Sequence, residues 1–140
     1  MIYIPPETST REKNLRIDHY KILLETTTKI SSDNVILMGD FNARTKTLED
    51  TLDIDLLDEN IPFHFYTKPK TTRNNQDPTT NRYGKKLTEY CITTGAYIAN
   101  GRTLGDFQGK LTCHEHNGSS TVDYAIISEG MYKYIHKFQV

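Results

Sequence analysis

The chain has 140 residues, and 17 Lys and Arg against 18 Asp and Glu leave a formal net charge of −1, with 36% hydrophobic, 10% aromatic and 25% charged side chains. That is room for one small domain with a modest core; the charge balance excludes a polybasic tail protein, and a near-average composition points to a globular domain rather than a fibre or a disordered segment. The longest apolar run, Val35 to Met38, is far short of the roughly 18 to 20 residues of a membrane span, so an integral membrane protein is excluded as well.

In chain order, Ile2 and Ile4 alternate with Met1 and Tyr3 before Pro5-Pro6, which reads as the end of a strand over 2–4. Ser9-Thr10-Arg11-Glu12 has the form of a capping box. Leu15, Tyr20, Leu23, Leu24 and Thr27 then recur at helical spacing and predict a helix over about 10–30 with one apolar face. Val35-Ile36-Leu37-Met38, bounded by Asp33-Asn34 and Gly39, has the pattern of a strand buried on both faces. From Lys46 to Gln76 no period is sustained, and a long loop with a short helix near 50–58 is expected. Leu87, Tyr90, Cys91 and Thr94 keep 3–4 spacing up to Gly95, predicting a helix over 83–94 ended by a left-handed glycine. Tyr97-Ile98-Ala99 starts a strand that turns at Asn100-Gly101. The runs 111–114 and 122–128 flank Asn117-Gly118 and read as two hairpin strands. A last short helix is expected from Ser128 to Ile135, with Lys137 to Val140 beginning another strand.

Strands alternating with helices make the chain α/β or α+β. No repeat, low-complexity tract or linker divides residues 1–140, which read as one domain; both ends fall inside elements, so the domain is expected to be cut from something larger. Met1 to Pro6 carries neither a basic n-region nor an apolar h-region. The expected location is therefore intracellular, nuclear or cytoplasmic rather than secreted, with Cys91 and Cys113 as reduced thiols.

The strongest chemical feature is Ile36-Leu37-Met38-Gly39-Asp40-Phe41-Asn42-Ala43-Arg44, an apolar strand that delivers a carboxylate and a carboxamide two residues apart at its carboxyl end. There Asp40 can act as a general base or orient a water, and Asn42 can donate to a phosphate oxygen. An Asx-turn closing the strand explains the same two residues equally well.

This run resembles the GDFN signature of the endonuclease/exonuclease/phosphatase superfamily, the deoxyribonuclease I-like fold. Tyr3-Ile4-Pro5-Pro6 is similar to the family's tyrosine-bearing strand end. Asn81 to Leu87 with Asn100-Gly101 resembles its N-x-x-G-x-x-L helix and following Asn-containing strand, and Leu111-Thr112-Cys113 with Val122-Asp123-Tyr124 its late hairpin. The four ordered blocks are most similar to endonuclease domains of non-LTR retrotransposons and endonuclease–reverse transcriptase proteins, over essentially the whole chain. The resemblance implies a partial four-layer α/β/β/α sandwich, the second half of the fold without its last strand. It implies Mg²⁺-assisted phosphodiester hydrolysis of DNA. Asp40 would orient the attacking water, Asn42 and Tyr3 would contact the scissile phosphate, Asp123 would orient a catalytic histidine, and Thr112 would lie on the substrate-facing hairpin. The sheet built from 2–4, 35–38, 97–99, 111–114 and 122–127 would be covered on one face by the helices. Its bare second face would leave the chain marginally stable or drive self-association.

The departures from that pattern are equally specific. The family's early Asn and metal-binding Glu lie upstream of the position of Tyr3, and its terminal Ser-Asp-His follows the position at which Val140 stands. Asp18-His19, the one Asp-His pair, sits in the predicted first helix and reads as a helix-surface coincidence. The expectation is therefore a partial constellation with no complete magnesium site, because hard cations require more carboxylates than Asp40 and Asp123. A non-catalytic nucleic-acid-binding or interaction remnant is the alternative.

The remaining signals are weaker. Cys113-His114-Glu115-His116 lacks a second ligand pair and alternates faces as a strand, so a polar hairpin edge outweighs a zinc site. Gly105 to Leu111 does not match a P-loop, and Asn117-Gly118-Ser119 reads as a plain turn. Residues 49–59 hold six acids, whereas Lys68, Lys70, Arg73, Arg82, Lys85 and Lys86 form a basic set opposed only by Asp77. With Tyr66 and Tyr83 to stack on bases, that set can track a nucleic-acid backbone; an ordinary solvated face is the competing reading. Lys85 and Lys86, with Arg44, are the candidate substrate contacts.

Overall fold

The computed structural model describes residues 1–9, 17–51 and 72–140. The expected helix near 50–58, Tyr66, Lys68 and Lys70 fall largely or wholly outside these residues. The described elements are β1 (Ile2–Tyr3), α1 (His19–Thr27), β2 (Ile36–Asp40), α2 (Arg82–Thr94), β3 (Tyr97–Ile98), β4 (Cys113–Glu115), β5 (Gly118–Ser120), β6 (Asp123–Ile127) and α3 (Glu129–Tyr132).

Four strands form a mixed sheet in the order β1-β2-β6-β3. β1 runs parallel to β2, and β6 is antiparallel to both β2 and β3. Close approach at the β1–β2 edge explains Gly39: a Cβ there would stand 1.9 Å from the carbonyl oxygen of Ile2, at a φ of 151°. Helices α1 and α2 pack on one face of the sheet. Between them and the sheet lie Tyr20, Phe41, Leu87, Tyr90, Cys91, Ile98, Tyr124 and Ile126, all buried. A second small cluster on the other face sets Ala99, Ala125 and Ile127 against Met131, Ile135 and Phe138.

α2 follows its sequence signals to within a residue. The Asn81 side chain accepts from the Gly84 amide at the N-cap, and Gly95 ends the helix at φ 67°. α1 is shorter than the periodicity predicted within the described residues: Asp18 caps it by accepting from the Lys21 amide, and the chain turns after Thr27. Asp18 thus has a structural task, and it also pairs with Lys86.

Five expectations are corrected. β2 is not buried on both faces: Leu37 faces the helices, while Ile36 and Met38 are 44% and 52% exposed on the outer face, because nothing among the described residues covers that half of the sheet. The outer face is nevertheless not bare throughout, since the chain after β6 folds back over β6 and β3. The hairpin partner of β4 is β5, in a separate two-stranded sheet, so residues 111–114 are not part of the main sheet. The chain parts from the hairpin at Thr121-Val122, where the Thr112 hydroxyl accepts from the amides of Val122 and Asp123. Finally, α3 ends at Tyr132, and residues 137–140 form no strand; the Phe138 amide donates to Leu104 and its ring joins the outer cluster.

The chain is thus mixed α/β, and no helix among the described residues is long and apolar enough to cross a membrane.

Candidate functional site

The sheet register brings three of the sequence-selected residues together. Asp40, the last residue of β2, is paired with Tyr3 of β1 on one side and with Asp123, the first residue of β6, on the other. Residues directly paired across strands project to the same face. The phenol and the two carboxylates therefore share the outer face at the end of the sheet. Tyr3 is 67% exposed, and both aspartates are half-buried.

Asn42 follows in the left-handed region, at φ 46°, a conformation that asparagine tolerates better than most residues. Its amide donates to Asp40 Oδ1 at 2.8 Å, so the Asx-turn weighed from sequence is present. The turn also aims the carboxamide: Nδ2 donates to the Ile4 carbonyl at 2.8 Å and to Asp40 Oδ2 at 3.2 Å. The Asx-turn thus closes the strand and, in doing so, sets the Asn42 carboxamide beside the Asp40 carboxylate.

Burial raises the pKa of Asp40 above the usual carboxylate value. The Asn42 amide opposes that shift, and the negative charge of Asp123 adds to it. A carboxyl held in this way favours taking up a proton, as a general base does.

Thr112 comes next to the pair through the amide of Asp123, which donates to its hydroxyl at 3.1 Å. Asn100, buried to 1% exposure, braces the other side of β6: its Nδ2 donates to the Asp123 carbonyl at 3.1 Å, and its Oδ1 accepts from the Ala125 amide at 3.0 Å.

The candidate cations are placed differently. Arg44 commits Nε and Nη2 to a bidentate pair with Asp77, at 2.8 and 2.7 Å, while its side chain stays 31% exposed. Lys86 pairs with Asp18, whose carboxyl that contact holds below its ordinary value. Lys85, Arg82 and Lys46 are exposed. Arg73, expected in the basic set, is instead buried at 5% exposure and donates to the carbonyls of Lys46 and Leu48.

Magnesium asks for several oxygen ligands. Asp40 and Asp123 are the two acids brought together at the strand end, and the described residues hold no group of three or more His, Cys, Asp or Glu able to hold a metal. Among the described residues, Asp40 and Asp123 alone do not supply the ligand set that magnesium asks for. The same holds for Cys113 to His116, where His114 hydrogen-bonds Ser119 across the hairpin at 2.9 Å.

Sequence reasoning missed two residues that organise this cluster, Asp77 and the non-capping half of Asn81. Asp77 stood in the sequence only as a lone acid among bases. Set against family models, curated proteins and solved structures, the chain matches none of them.

Proposed function

We propose that the chain is part of a phosphodiester-hydrolysing endonuclease domain of the retrotransposon type and that it carries the phosphate-contacting half of the site. The observation that carries the reading is the strand-end juxtaposition of Tyr3, Asp40 and Asp123, with Asn42 turned back onto Asp40. A phosphate oxygen would replace Asp40 Oδ2 as the acceptor of the longer Asn42 hydrogen bond, and the Tyr3 hydroxyl would donate to the same group. Exposed Lys46, Arg82 and Lys85, together with the exposed part of Arg44, would meet the flanking phosphates.

Asp40 and Asp123 are themselves anionic, so attraction for DNA in this reading comes from the cationic side chains around the strand end. The second reading is a non-catalytic nucleic-acid-binding or interaction remnant of that domain, favoured by the lack of a third metal ligand beside Asp40 and Asp123 among the described residues.

The test is fluorescence anisotropy with a labelled duplex. The folded chain should bind at about 50 mM salt and weaken as salt rises, by about 0.9 in log K per log salt for each phosphate contact. Arg82→Glu with Lys85→Glu should weaken binding at least about tenfold. No binding by folded protein, or binding indifferent to both salt and charge reversal, would remove the reading.

A further inference from the structure

The short segment between Asp77 and Asn81, immediately before α2, touches the strand-end cluster from behind at both ends. The Asp77 carboxylate is fully buried and accepts four hydrogen bonds. Two come from Arg44, one from the Thr79 amide at 2.9 Å and one from the Thr121 amide at 3.0 Å. Arg44 is two residues beyond Asn42, and Thr121 is two residues before Asp123. One carboxylate therefore ties the loop after β2 to the chain entering β6.

Asn81 does a similar thing with three more groups. Its Nδ2 donates to the Asn42 carbonyl at 2.9 Å, its Oδ1 accepts from the Arg44 amide at 2.9 Å, and its backbone amide donates to the Arg44 carbonyl at 3.0 Å. The same Oδ1 caps α2 through Gly84, at 2.7 Å. Backbone contact is close enough that a Cβ at Gly84 would stand 2.0 Å from the Arg44 carbonyl oxygen, so only glycine lets the first turn of α2 reach the loop.

We infer that Asp77 and Asn81 are positioning residues: together they hold Asn42 in its left-handed conformation and fix the Asp40 loop against Asp123. The inference deepens the proposed phosphate site and takes from it the identity of the cluster being positioned. A capping asparagine needs only the Gly84 contact, and an ordinary ion pair needs only Arg44. Neither task explains why the bonds converge on Asn42, Arg44 and Thr121.

The experiment is amide hydrogen exchange on the folded chain without nucleic acid, for wild type, Asp77→Asn and Asn81→Ser. Serine keeps an oxygen for the helix cap but loses the donor to Asn42. The informative amides are those that the substituted residues do not touch: Phe41, which donates to Val122, Asn42, which donates to Asp40, and Asp123, which donates to Thr112. Positioning predicts that exchange at these three speeds up at least about tenfold more than at the helical amides of Leu87 to Cys91, since local opening is separable from global unfolding. Unchanged exchange at Phe41, Asn42 and Asp123, or acceleration equal to that of α2, would overturn the inference. Because the readout needs no DNA, its failure is distinct from a failure of wild-type chain to bind the duplex.

Discussion

Tyr20 reaches from α1 across the core to the loop that carries Asp40 and Asn42: its hydroxyl donates to the carbonyl of buried Phe41 at 2.9 Å, and its ring packs on Tyr83 with centroids 5.4 Å apart. Tyr20→Phe keeps the ring and removes the donor, leaving a buried carbonyl unsatisfied, which costs about 1–2 kcal/mol. With an unfolding entropy of about 2.1 cal/mol/K per residue, 140 residues give about 0.29 kcal/mol/K. The expected fall in Tm is therefore about 3–7 °C by circular dichroism. Tyr90→Phe is the internal control. Its hydroxyl donates to Thr27 at 3.1 Å beside an open groove of about 410 Å³ lined by both residues, so water can take its place, and the loss should stay below about 0.5 kcal/mol. A Tyr20→Phe variant as stable as wild type, or no worse than Tyr90→Phe, would refute the argument that α1 anchors the site loop.

Asp40→Asn should stabilise the chain. Burial, then Asp123 against the opposing Asn42 amide, raises the folded pKa, so ionisation of Asp40 opposes folding at neutral pH and the gain should vanish as pH falls below that raised value. Burial is the larger cause and the like charge of Asp123 the smaller, and because the carboxyl keeps contact with water the gain should be of the order of 1 kcal/mol, a rise of about 3 °C in a thermal melt. Asp77 has the opposite sign. Burial alone would raise its carboxyl, but Arg44 and the Thr79 and Thr121 amides outweigh burial and hold it below the usual value. Its contribution is fully present above the unfolded value of about 3.9 and is lost as pH falls through the folded value; wild-type Tm should drop more steeply below about pH 4 than that of Asp77→Asn. On the outer face, Met38→Lys should change Tm by less than about 2 °C, because Met38 is already 52% exposed. The same change should abolish concentration-dependent association in sedimentation velocity, which the apolar strip of Ile36, Met38 and Tyr3 is expected to support.

How much was legible in sequence follows from how local each signal is. α2 was readable because its cap, its period and its terminal Gly95 lie within the segment itself. Asp40 and Asn42 were readable because an apolar run ends on them. The hairpin misled because Asn117-Gly118 marks a turn without saying which strand returns. The Thr112 hydroxyl ends that pairing early and releases β6 to the main sheet. β2 misled because the apolarity of Ile36 and Met38 suits a two-sided sheet, of which the described residues cover only part. Asp77 and Asn81 were invisible in these roles because they act across separations of 33 to 44 residues, where no periodicity connects the partners.

The most direct test of the half-site account is nicking of supercoiled plasmid by the folded chain in Mg²⁺, beside Asp40→Asn and a chelator control. The account predicts that the plasmid stays supercoiled while the same preparation binds duplex DNA. Nicking by the wild-type chain that disappears in both Asp40→Asn and the chelator would contradict it, because the residues at the strand end would then be assembling a complete metal-dependent catalyst.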